Sequence, residues 1–175
     1  MRTLKRVVYR LPIAYYYSTP EDKARMQAFK AVSGDSETVL VMQFVRGWIG
    51  RNREYYWDLA KLDAGTRKLD MTEWGRIVLD GGMDALPAYQ ESLPNIPPDP
   101  LQHVTLPPTV ERRPMTHIKL GNQNAALVKV GAFYANDAVV QFISRIVYEH
   151  LQRNWERLYK QQIEMDNLQN WGKPA

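Results

Sequence analysis

Residues 94–115, PNIPPDPLQHVTLPPTVERRPM, most limit what this chain can fold into. Each proline fixes φ and removes a backbone donor, and it pushes the residue before it out of the helical region. Neither a long helix nor a central strand can run through such a stretch. It nevertheless carries Ile96, Leu101, Val104, Leu106, Val110 and Met115 at intervals. An extended, apolar-studded strap of this kind lies across a surface, of its own domain or of a neighbour. The chain therefore reads as three parts of one domain. Residues 1–93 are a basic arm plus a helical region, 94–115 the strap, and 116–175 a region closed by a long amphipathic helix.

The chain has 175 residues, 45% of them hydrophobic, enough for a real core. No run approaches the roughly 20 apolar residues that cross a bilayer. The longest candidate, Ala125 to Tyr148, is interrupted by Lys129, Asp137 and Arg145, so no membrane span is expected. Cysteine is absent, which excludes disulfides, thiolate metal sites and thiol catalysis. His103, His117 and His150 are scattered, and no metal or other cofactor is expected.

The net charge is +4, a mild excess that permits an acidic partner without demanding one. It is uneven: Arg2, Lys5, Arg6 and Arg10 precede the first carboxylate, Glu21. An arginine-rich, acid-free start suits mitochondrial import. Pro12 and the triplet Tyr15–Tyr17 favour instead an edge strand or arm of the mature protein, in the cytoplasm or within a large assembly.

Along the chain, Thr19, Pro20, Glu21 and Asp22 signal a helix start, and Ser33-Gly34-Asp35 a stop. Val41, Val45, Trp48, Asn52, Tyr55, Leu59 and Leu62 fall on one helical face, with Asn52 the polar exception. The rival reading takes residues 38–45 as a buried strand. The continuous phase from Val41 to Leu62 favours a helix, closed at Asp63-Ala64-Gly65. Asp70 or Thr72 opens a short helix that Gly81-Gly82 ends, and residues 83–93 give one or two more turns. Residues 116–122 suit a short strand; residues 124–134 are ambiguous. From Asp137, the residues Val140, Ile143, Val147, Leu151, Trp155 and Leu158 mark a helical face that runs to about Leu168. Arg145–Glu149, Glu149–Arg153 and Glu156–Lys160 are spaced as i,i+4 ion pairs. The expected fold is mainly α, α+β with a few short strands.

For chemistry, the sequence holds no Gly-rich phosphate loop, no HExxH and no nucleophile elbow. Asp80 and Asp84 flank Gly81-Gly82 but are too few for a cation site, and read as a helix end followed by a new cap. Arginine interleaved with aromatics, as in residues 46–57 and 153–160, suits nucleic acid or protein hot spots. Candidate contacts are Arg2, Lys5, Arg6, Arg10, Arg46, Arg51, Arg53, Arg112, Arg113, Arg153 and Arg157. The favoured function is a non-catalytic structural or adaptor subunit that contacts other protein subunits of a complex. The alternative is an accessory protein that binds RNA or single-stranded DNA.

Overall fold

A bent, two-stranded ribbon joins the first described residues to the end of the strap and the residues just after it. The computed structural model describes residues 8–174. Arg2, Lys5 and Arg6 lie outside the described residues. In the ribbon, β1 (Val8–Pro12) pairs antiparallel with β4 (His117–Gly121), and β2 (Tyr15–Ser18) with β3 (Glu111–Pro114). One register runs throughout, from Val8 opposite Gly121 to Ser18 opposite Glu111. At the bend the Met115 N–H donates to the Ala14 carbonyl at 2.8 Å. Leu11, Ile13, Tyr16, Ile118 and Leu120 face inward, which fixes the register because a one-residue slip would turn them to water.

Helices make up 61% of the described residues and strands 11%. The Thr19 hydroxyl accepts from the Asp22 N–H and starts α1 (Pro20–Ser33), which Gly34 ends at φ 74°. Ser36 caps α2 (Glu37–Arg51), so the strand alternative for residues 38–45 fails. The long helical face expected from Val41 to Leu62 is split between α2 and α3 (Arg53–Thr66) at Asn52, whose φ is −113°. Asn52 presents both its backbone N–H and its side-chain amide to the Trp48 carbonyl, each at 3.0 Å. After the break the buried face shifts by one residue: Leu59 stays buried, but Tyr56 and Asp63 replace Tyr55 and Leu62, and the Trp48 indole N–H donates to the Tyr56 hydroxyl across it. Gly65 does not close α3. The helix continues to Thr66, and Lys68 supplies the left-handed turn at φ 59°. Asp70 caps α4 (Met71–Gly81), and only one 3₁₀ turn follows, Met83–Ala85.

The ambiguous segment is helical: α5 (Asn122–Tyr134) is buried from Ala125 to Val128. At Gly131 an added Cβ would sit 2.8 Å from both the Phe142 ring and the Tyr56 ring. That glycine lets α5 lie directly against α3 and α6. The last helix, α6 (Val139–Asn170), has 32 residues and meets α5 at 99°. Its length is about 48 Å at 1.5 Å per residue. Among the described residues no single helix is long and apolar enough to cross a membrane.

One hydrophobic core unites these parts. Tyr16, Leu40, Trp48, Tyr56 and Trp74 come from before the strap, and Ile118, Leu127, Phe142 and Ile146 from after it. The strap contributes Leu101 and Val104, with Ile96 packed alongside. Burying a leucine such as Leu101 stabilises by about 2 kcal/mol. The strap's carbonyls are also held. Arg145 donates to the Leu101 carbonyl at 2.5 Å and to the Val104 carbonyl at 3.0 Å, and it pairs with Asp137 at 2.5 Å. The Tyr55 hydroxyl donates to the Pro97 carbonyl at 3.0 Å. The strap thus packs on its own domain.

Candidate contact surfaces

Three buried polar networks account for most of the strongly shifted groups, and each is complete. Glu37 receives Arg113 through both carboxylate oxygens, at 3.0 and 2.6 Å, and the Tyr16 hydroxyl at 2.6 Å. Burial raises the Glu37 pKa, but the hydrogen bonds from Arg113 and Tyr16 outweigh it and leave it lowered. The pair fixes β2 and β3 to the start of α2. Asp63 is fully buried and accepts from Arg67 at 2.9 Å, from the Trp74 indole at 2.8 Å and from Tyr134. Arg67 also donates to the Pro87 carbonyl at 2.7 Å and stacks on Tyr89, tying the segment before the strap to α3. Burial, then the hydrogen bond to Asp63, raises the Tyr134 pKa.

The third network surrounds His150. Its ring stacks on Phe44, with centroids 4.1 Å apart, and Nε2 lies 2.6 Å from the Tyr159 hydroxyl. Asn154 Nδ2 can only donate, so Nδ1 accepts from it and Nε2 carries the proton. Burial first, then the charges of Arg51 and Arg153, lower the His150 pKa to about 4. A π turn over Trp155–Tyr159 makes this arrangement. The extra residue rotates the helix that follows. Tyr159 takes the inward position against Phe29 and Phe44, and Leu158 moves out, 48% exposed. The expected inward stripe is therefore wrong at Leu158, and Trp155 is only half-buried.

The predicted arginines do not form one patch. Arg113 is absorbed by Glu37, and Arg153 pairs with Glu149 at 2.6 Å. Arg53 donates to Gln123 and Asn124, each at 2.9 Å, and Arg157 to Asn154 at 2.7 Å. The expected Glu156–Lys160 pair forms at 3.1 Å, but Arg145 chooses Asp137 over Glu149. Arg10, Arg46, Arg51 and Arg112 make no ion pair among the described residues, and all four are exposed. Arg53 stands one turn from Trp57, beside an apolar groove of about 530 Å³ between α3, α4 and α5. Trp48 and Tyr56, from the same arginine–aromatic segment, are core.

Two surfaces remain. The first is the outer face of the ribbon. Arg10 stands directly opposite Lys119, both exposed, and like charges so placed repel. Further along, Arg112 lies 4.3 Å over the Tyr15 ring, and hydrogen bonds from Tyr15 and then Arg112 lower the Tyr17 pKa. Lys119 and the two tyrosines were missed in the sequence. Only strand pairing, invisible without the fold, brings Lys119 to Arg10.

The second surface is the end of α6. Leu158, Met165, Leu168 and Trp171 are 48%, 64%, 69% and 84% exposed. Leu158, Met165 and Leu168 share one side of the helix at spacings of seven and three residues. Between this helix and Val32 of α1 lies a groove of about 470 Å³, lined also by Met165 and Leu168. The spacing was present in the sequence, but the π turn that sets its direction was not.

Compared with known protein families, curated proteins and solved structures, the chain matches none.

Proposed function

We propose that this protein is a non-catalytic structural or adaptor subunit that meets protein partners through the outward side of α6. One observation carries the reading: of the seven large apolar side chains exposed among the described residues, four stand at the end of one helix, the three most exposed of the seven among them. Water-exposed apolar groups gathered on one element mark a contact surface. The strongly shifted groups support the same reading, because Glu37, Tyr134 and His150 are engaged by protein neighbours. The test is affinity capture from the native cells, with and without nuclease, for the parent and for Leu168→Glu/Trp171→Glu. A fixed protein set that survives nuclease and is lost in the variant supports the proposal. A set that the variant retains overturns it.

The ribbon favours a second reading, contact with RNA or single-stranded DNA. A polyanion would relieve the repulsion between Arg10 and Lys119, and bases can stack on Tyr15 and Tyr17. This reading predicts an affinity that falls steeply with salt and is abolished in Arg10→Glu/Lys119→Glu. Equal binding by that variant would remove the ribbon from consideration.

A further inference from the structure

The end of α6 carries both a projecting side chain and a place to receive one. Trp171 is the most exposed large apolar residue among the described residues, at 84%, and follows directly on the last turn of the helix. The groove against Val32 begins one turn earlier and is lined by Met165, Asp166 and Leu168. A knob and a hole on one element are what a two-fold interface requires, since each copy supplies both.

The charges agree with this geometry. Asp166 and Lys173 make no ion pair among the described residues. Their charged ends hydrogen-bond to Asn170: Lys173 Nζ donates to Asn170 Oδ1 at 3.2 Å, and Asp166 Oδ2 accepts from Asn170 Nδ2 at 3.3 Å. Set two copies of the segment antiparallel about an axis between Gln169 and Asn170. Leu168 then faces Trp171 of the second copy, and Asp166 faces Lys173 of the second copy. The same alignment matches apolar to apolar and acid to base, twice over.

We infer that the α6 end is a homodimer contact, in which each copy seats Trp171 in the other's α1–α6 groove and pairs Lys173 with the other's Asp166. This rests on the protein-contact reading of α6 and names its partner as a second copy of this chain. The contact is small, so the dimer forms in the micromolar range rather than the nanomolar.

The experiment is sedimentation equilibrium of the full chain across that range, with circular dichroism to verify folding. The parent is expected to show a concentration-dependent dimer. Trp171→Ala should weaken it by about tenfold or more. Asp166→Lys and Lys173→Glu should each weaken it, and the double variant Asp166→Lys/Lys173→Glu should restore it to within about threefold of the parent. A monomer at every concentration overturns the inference, as does a dimer indifferent to Trp171→Ala or a double variant no better than the singles. If the chain stays monomeric but Leu168→Glu/Trp171→Glu still loses captured proteins, self-association fails while the adaptor reading stands.

Discussion

The strap and the end of α6 invert what their sequences suggest. The strap is irregular and proline-rich, yet Leu101 is fully buried and two of its carbonyls are gripped by Arg145. The end of α6 is regular helix, yet none of its residues from Lys160 to Asn170 is buried. Regular backbone reports only where hydrogen bonds go. Burial and cross-chain hydrogen bonds report whether a segment belongs to the core. By that measure the strap is anchored to the core through Leu101, Val104 and Met115, and the helix end is surface.

The contrast is sharpest in what mutations should cost. Asp63→Ala, in the network that ties the segment before the strap to α3, leaves the buried Arg67 without its carboxylate. It should destabilise by about 3–5 kcal/mol in chemical denaturation. Leu101→Ala opens a cavity under the strap and should cost about 2–4 kcal/mol, with the midpoint shifted and the slope kept. If Leu101→Ala proves neutral, the strap is not part of the core and the comparison breaks. At the helix end, Leu168→Ser and Trp171→Ala should each change stability by less than about 0.5 kcal/mol. A larger loss, measured at a concentration where the chain is monomeric, would mean that this segment packs on its own molecule.

The π turn lies between the two regimes and has its own signature. His150 has a folded pKa of about 4, below its ordinary 6.5. The neutral ring is therefore preferred in the folded state, and the stability it contributes is complete above pH 6.5. Below that the unfolded chain binds the proton first, so stability falls until the folded ring titrates near pH 4. The loss is on the order of 3 kcal/mol, at about 1.4 kcal/mol per unit of pKa. Glu37, held low by Arg113, adds to the acid loss, and Asp22, raised by burial, opposes it. The slope belonging to His150 is the part removed in His150→Gln between pH 6.5 and 4. An unchanged slope would place the imidazole in water rather than against Phe44.

Much of the fold is legible in local signals. Thr19, Ser36 and Asp70 cap helices because a side-chain oxygen satisfies an orphan N–H, a rule that needs no tertiary context. The face from Val41 to Trp48 is also legible, but the break at Asn52 is not, and past it Tyr56 and Asp63 take the buried positions expected of Tyr55 and Leu62. What fails is direction after a hidden insertion. The stripe that leads inward to Leu151 assumes 3.6 residues per turn, and the π turn at Trp155–Tyr159 moves Leu158 out and Tyr159 in. The pairing of Arg113 is hidden for a second reason: it meets Glu37 across 76 positions of sequence, and no spacing rule reaches that far.

The most direct test is limited proteolysis of the free protein with an enzyme that cuts beside apolar residues. The first cuts are expected at Leu158–Trp171, with Leu101 to Leu106 resistant until the domain unfolds. Early cleavage at Leu101 or Val104, with the end of α6 intact, would contradict the assignment of the strap to the core and of the helix end to the surface.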